Sequence, residues 1–161
     1  MAFLFFVRPD NLLRHTGIAC LVFVASHLLS MPAHATLGQN INTTAGDPLW
    51  THAVTHTVSQ RAGYVMHLIT FPSGTVVREY VSLSGMVFGV AWEGPTLPDL
   101  RTALGAAFDQ YIAATATRRA TPLAVSQSDL VIVSTGHLRA FAGHAYLPLA
   151  APAGIDISVV Q

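Results

Sequence analysis

Alternating hydrophobic and polar positions begin near Ala62 and predict β-strands along most of the remaining chain. β-branched and aromatic residues fill these runs, and short glycine-containing segments separate them, as in antiparallel hairpins. One stretch changes to helical spacing, with Leu100, Leu104 and Phe108 on a single apolar stripe. The predicted elements are strands at 64–71, 75–82, 86–92, 129–134 and 138–146, and a helix at 97–116.

The predicted helix has its own start signals. Thr96 is expected to cap it, Pro98 suits its first turn, and Asp99 faces the positive end of the helix dipole. The resulting order is β-β-β-α-β-β. It predicts an α+β fold, in which an antiparallel sheet carries one amphipathic helix packed on one face.

The N-terminal segment is typical of a secretory signal peptide. Arg8 and Arg14 precede an apolar stretch from Gly17 to Met31, and Ala33 and Ala35 form a small-residue cleavage signature. The apolar stretch is shorter than the roughly 20 residues that a membrane-spanning helix needs. We therefore expect cleavage after Ala35, a periplasmic or secreted bacterial protein, and membrane contact only through the signal peptide during export.

The rest of the chain divides by composition. Residues 36–61 are polar and irregular and are predicted to form a flexible leader, although the alternation at 51–58 leaves open a short docked strand. Residues 62–155 are predicted to form the α+β domain. Residues 156–161 are predicted to form a tail.

Charge and cysteine content limit the possible partners and chemistry. Residues 36–161 contain six Arg and seven acidic residues, and the whole chain contains no Lys. This balance supplies no basic excess for phosphates, so we expect no nucleic-acid partner. Cys20 is the single cysteine and lies within the predicted signal peptide, so cysteine catalysis and disulfides are not expected after cleavage.

Known catalytic and cofactor motifs do not occur in the sequence. It has no nucleophile elbow, phosphate-binding loop or dinucleotide fingerprint, and we predict no catalytic residue, no cofactor and no metal. His52 and His56 have metal-pair spacing on a helix. On the extended chain predicted here they would lie roughly 13 Å apart.

Five residues form a candidate binding surface: Arg78, Glu79, Trp92, His137 and Arg139. Arg78 and Glu79 are adjacent in a strand and should point to opposite faces. Cross-strand ion pairing is the simpler role for Arg78, and recognition of a carboxylate by Arg78 with Arg139 is the alternative. Trp92 is expected to be a core anchor unless it is exposed.

Three segments are distinctive, namely Gly74–Val81, Val87–Leu100 and Gly136–Pro148. They resemble a bacterial exported family, domain of unknown function 2844, and the resemblance covers roughly residues 62–155. The resemblance implies export and the fold, and it implies no activity.

The leading hypothesis is a non-enzymatic binding or envelope-associated module. Its partner would be an envelope protein or a surface polymer, with pairing at a sheet edge in the 128–146 hairpin as one route. The alternative is a small hydrolase or transferase whose pocket brings Arg78 or Glu79 together with His137 or Arg139. A third hypothesis is a stability or assembly factor for the envelope.

Overall fold

The computed structural model describes residues 36–41, 52–117 and 122–161. The predicted signal peptide, residues 1–35, and residues 42–51 of the predicted leader lie outside the described residues. The described residues form one antiparallel sheet with helices on one face and the C-terminal segment on the other.

The domain is α+β, as predicted, but its described residues form seven strands and not five. All neighbouring strands are antiparallel, and their order across the sheet is β1-β2-β3-β4-β7-β6-β5. The strands are β1 Thr55–Arg61, β2 Tyr64–Thr70, β3 Val76–Ser82, β4 Val87–Gly94, β5 Leu123–Ser126, β6 Val131–His137 and β7 Ala140–Tyr146. The chain order is therefore β-β-β-β-α-β-β-β, so the predicted order β-β-β-α-β-β is wrong.

The two additional strands are the edges of the sheet. Six of the seven residues of β1 are exposed, so this strand has no buried face. It therefore lacks a continuous alternation of apolar and polar residues, the pattern that predicts a strand. β5 has only four residues, which is too short for a repeating pattern, and it lies between the predicted helix at 97–116 and the predicted strand at 129–134. Both strands are held by pairing with a neighbour, β1 with β2 and β5 with β6.

The central pairing of β4 with β7 joins the two groups of strands into one sheet. As a result, both strands of the β6–β7 hairpin have partners on each side, and the proposed edge pairing through residues 128–146 is wrong. The hairpin turn is Leu138–Arg139, with His137 opposite Ala140, and not Gly136–His137 as the glycine suggested.

The predicted helix is present but is interrupted. α1 spans Leu100–Leu104, a 3-10 turn spans Gly105–Ala107, and α2 spans Phe108–Thr117. Asp99 is the N-cap, because its carboxylate accepts hydrogen bonds from the backbone N–H groups of Arg101 and Thr102. The predicted Thr96 cap is wrong: the Thr75 hydroxyl contacts the carbonyl and hydroxyl oxygens of Thr96, each at 2.8 Å.

The main core lies between the helices and one face of the sheet. Leu100, Ala103 and Leu104 are buried there, as the apolar stripe predicts. The sheet contributes fully buried side chains from β2, β3, β4 and β6, namely Ile69, Val77, Val90 and Ile132. One helical layer on one face therefore stabilises the sheet, in agreement with the predicted packing.

Part of the predicted flexible leader is built into the domain. Leu37 is buried in the main core, and its backbone N–H donates to the carbonyl of Ala103. The buried Thr36 hydroxyl donates to the carbonyl of Thr102 at 2.9 Å. Together with β1, these contacts place the described parts of residues 36–61 in the folded unit, because local polarity does not reveal backbone pairing at a distance.

Candidate functional site

The C-terminal segment covers part of the sheet face that lies opposite the helices. Val160 packs with Tyr80, Phe88 and Ala91 in a second apolar cluster. Gly89 permits this approach, because a Cβ at this position would lie 2.8 Å from Val160 Cγ2. The Tyr80 hydroxyl donates to the carbonyl of Gln161 at 3.0 Å. The predicted tail is thus docked on the sheet.

A groove runs between this docked segment and the sheet. It consists of two adjoining cavities of about 330 and 320 Å³, which share His144 and Gln161 as lining residues. The first cavity is also lined by Arg78, Trp92, Glu93, Val133, Thr135, Ala142 and Gly143. The second is also lined by Tyr146, Asp156, Ile157, Ser158 and Val160. We call this feature the tail groove.

An ion pair lies at one end of the tail groove. Arg78 Nη2 donates to Glu93 Oε1 at 2.7 Å, from neighbouring strands β3 and β4. The two side chains are 25% and 57% exposed, so the pair is partly solvated and contributes little to stability. This geometry agrees with cross-strand ion pairing, and it places a donor and an acceptor side by side at the groove.

Two stacked rings form an aromatic surface in the groove. His144 and Tyr146 lie on the same face of β7, two residues apart, with ring centroids 6.1 Å apart and planes 23° apart. Burial lowers the pKa of His144, so its imidazole is neutral at neutral pH. A neutral imidazole offers one hydrogen-bond donor and one acceptor beside the phenol ring.

Asp156 is already used by the local backbone. Its carboxylate accepts a hydrogen bond from the N–H of Ser158 at 3.0 Å and caps the 3-10 turn Ile157–Val159. Hydrogen bonds from Ser158 lower the pKa of Asp156. A carboxylate that is kept ionised accepts hydrogen bonds but is poorly suited to be a general acid at neutral pH.

Of the five sequence-predicted surface residues, the structure brings only Arg78 and Trp92 to one cavity. Arg78 lines the tail groove, whereas Glu79 is fully buried on the helix-side face, as the expected opposite orientation requires. Trp92 is 2% exposed and belongs to the main core. His137 and Arg139 lie at the exposed β6–β7 turn and do not line the cavity beside Arg78. The pocket expected for a hydrolase or transferase is therefore not formed by these residues.

Glu79 is part of a polar group inside the helix-side face. It lies directly across from His67, whose Nδ1 is 3.0 Å from Nε2 of His56. Burial, with a smaller contribution from His56, lowers the pKa of His67 to about 4. Across the part of the chain that the structure describes, no three His, Cys, Asp or Glu side chains are arranged to hold a metal.

A larger cavity of about 500 Å³ lies near the start of α1, and His52, Ser73 and Thr75 are among its lining residues. Its polar groups have local structural roles. Asp99 caps α1 and accepts from the Thr102 hydroxyl at 2.7 Å, and the Thr75 hydroxyl binds Thr96. This cavity is larger than either cavity of the tail groove, and none of the five sequence-predicted surface residues lines it.

The site that His144, Tyr146 and Gln161 share was not predicted from the sequence. The spacing of His144 and Tyr146 was a usable signal, because residues two apart in a strand share a face. Gln161 had no such signal, since only the docking of the C-terminal segment brings it to β7.

None of the helices in the described ranges has the length and apolar character needed to cross a membrane. No curated protein and no solved structure matches the chain significantly. One family model, described as protein of unknown function DUF2844, matches residues 33–160 and so covers all the described residues except Gln161. The chain therefore belongs to the DUF2844 family.

Proposed function

We propose that this protein is an exported, non-enzymatic binding module that holds a surface glycan in the tail groove. The observation that carries the proposal is the groove itself. Its two cavities adjoin at His144 and Gln161, and their size falls at the lower end of the range for small-ligand sites. A groove formed by two adjoining cavities suits a polymer segment better than a compact metabolite.

The chemistry of the lining supports a glycan over a charged polymer. Arg78 and Glu93 neutralise each other, so they offer hydrogen bonds without a net charge. The His144 and Tyr146 rings present an apolar surface with polar edges, which suits the alternating C–H and O–H groups of a sugar. The lining lacks the basic excess that a polyanion requires.

The same lining supports binding without catalysis. Acid–base catalysis needs a group that gains and loses a proton near neutral pH. The Asp156 carboxylate is held ionised and the His144 imidazole is held neutral, both by shifts away from that range. Each group keeps one protonation state near neutral pH and can still accept or donate hydrogen bonds. This is sufficient for recognition of a ligand.

Filling the groove tests the binding proposal. Thr135→Trp adds a bulky ring at an exposed residue that lines the first cavity, and Leu138→Trp makes a matched addition at the exposed hairpin turn. We expect Thr135→Trp to weaken retention on purified peptidoglycan sacculi or envelope polysaccharide about tenfold or more, roughly 1.4 kcal/mol. Leu138→Trp should bind as the unsubstituted protein does.

Co-sedimentation with each glycan over a concentration series measures this difference, and circular dichroism checks that both variants are folded. Absence of retention on every envelope glycan would exclude the proposed ligand class. Equal retention of Thr135→Trp and the unsubstituted protein would exclude the groove as the binding site.

Export has a separate test. The signal-peptide pattern supports cleavage after Ala35. We expect protein from the periplasm or medium to begin at Thr36, as determined by mass spectrometry of the intact chain. Ala35→Trp should accumulate as the precursor, because the cleavage site needs a small residue. Exported protein that still begins at Met1 would contradict cleavage.

A further inference from the structure

The two edges of the sheet are unequal. β5 has four residues and packs against α2, so one edge is short and partly covered. β1 has seven residues, pairs with β2 in one continuous register, and is exposed along nearly its whole length. A long and regular edge strand offers its outward N–H and C=O groups to another strand.

Within the described residues, β1 also lacks several features by which proteins protect such an edge. It contains no proline, no lysine and no acidic residue, it keeps one register with β2 along its length, and its single charged residue is Arg61 at the end. At its centre, Val58 is 54% exposed, and the neighbouring Val54 is exposed as well. The strand is therefore well suited to accept a partner strand.

We propose that β1 pairs with β1 of a second copy of this chain, antiparallel, about a two-fold axis at Val58. The sequence of β1 is nearly self-complementary about that residue. Thr57 then lies opposite Ser59 of the partner subunit, and His56 lies opposite Gln60 of the partner subunit. A two-fold interface uses the same surface on both copies, so such self-complementarity is what it requires.

Each pair in this register is favourable or neutral. Val58 meets Val58 of the partner subunit, and the Thr–Ser pairs bring hydroxyl groups together on the other face. Arg61 lies opposite Thr55 of the partner subunit. The two Arg61 residues are therefore six strand positions apart, roughly 20 Å, beyond the distance over which exposed charges interact strongly. No like charges face each other.

The tail groove stays open in this dimer, because it lies over β3, β4, β6 and β7 and not at β1. A single strand pair with its flanking side chains buries less area than the roughly 1,200 Å² of a stable interface. The dimer is therefore weak and concentration-dependent. Where the local concentration is high, each dimer would carry two tail grooves.

Sedimentation velocity of the full chain over a concentration series tests the dimer. The unsubstituted protein should shift from monomer to dimer as concentration rises. Val58→Lys places two ammonium groups opposite each other across the two-fold axis and should weaken dimerisation at least tenfold. Leu83→Lys, a matched change at the exposed β3–β4 turn, should leave it unchanged. Monomer at all concentrations, or equal dimerisation of both lysine variants, would overturn the proposal.

Cysteine cross-linking tests the register. In the full chain carrying Cys20→Ser, Val58→Cys should form a disulfide-linked dimer under mild oxidation. Directly opposed Cα atoms of antiparallel strands lie about 4.5–5.5 Å apart, within the range that a disulfide spans. Val54→Cys should not cross-link, because it lies opposite Ala62 of the partner subunit. Cross-linking of both variants, or of neither, would refute the two-fold axis at Val58.

Discussion

Gly143→Ala is expected to lower the free energy of unfolding by about 3 kcal/mol, because β7 has no room for a side chain at this position. A Cβ there would lie 2.5 Å from the carbonyl oxygen of Val133 and 2.7 Å from Cε2 of Trp92, and it would also contact Cζ2 of the same ring. Neither neighbour can easily move. Val133 O belongs to the β6 backbone, and the Trp92 ring is fully buried in the main core.

Denaturant unfolding would measure this loss of unfolding free energy. The dependence of that free energy on denaturant concentration should not change. Ala140→Val is the control, since it adds bulk at an exposed residue of the same strand and should change stability by less than about 0.5 kcal/mol. A double-mutant cycle with Trp92→Leu should reveal favourable coupling, because a smaller side chain relieves the overlap. A loss below about 1 kcal/mol for Gly143→Ala would mean that Trp92 can repack freely.

Stability is expected to fall as the pH decreases from about 6.5 to about 4, by up to about 3 kcal/mol. In the unfolded chain, His67 binds a proton below pH 6.5. In the folded protein its pKa is about 4, because burial and then His56 oppose the charged form. The unfolded state therefore binds more protons in this interval, and the stability present above pH 6.5 is lost as the pH approaches 4. Burial lowers the pKa values of His56 and His144 as well, so both act in the same direction.

Equilibrium unfolding at several pH values would measure this dependence. His67→Gln keeps a polar group beside His56 and Glu79 but cannot titrate. It should remove most of the decrease in unfolding stability between pH 6.5 and 4. His137→Gln, at the exposed hairpin turn, should lose stability between pH 6.5 and 4 as the unsubstituted protein does. The N-cap Asp99 acts in a different interval: hydrogen bonds, first from the Thr102 hydroxyl, lower its pKa below 3.8, so its contribution is lost only at lower pH. If stability depended on pH in the same way in His67→Gln as in the unsubstituted protein, the pH dependence would belong to other groups.

Several features of the site follow from local sequence alone. Period-two alternation correctly placed Arg78 and Glu79 on opposite faces of β3, and the same rule puts His144 and Tyr146 together on β7. The rule does not tell which face is covered by which element. Glu79 was therefore considered for a binding surface, although packing of the helices makes it one of the most buried side chains.

Other features depended on contacts between distant parts of the chain. Trp92 was expected to be a core anchor unless exposed, and only the packed structure determines its 2% exposure. His137 and Arg139 are close in sequence to His144, yet they lie at the far turn of the hairpin, outside the lining of the groove. Their distance from the cavity beside Arg78 is set by the pairing of β4 with β7, which no local pattern predicts.

By itself, the sequence determined the α+β class, the interior strands and the helical segment, because these elements have periodic apolar faces that record their burial. It also contained the resemblance that the DUF2844 match confirms. Only the tertiary structure decided the edge strands, the pairing of β4 with β7, and the docking of Val160 on Gly89. The reason is physical: backbone pairing and close approach at glycine use no side-chain pattern, so nothing local specifies the groove and the open edge that they create.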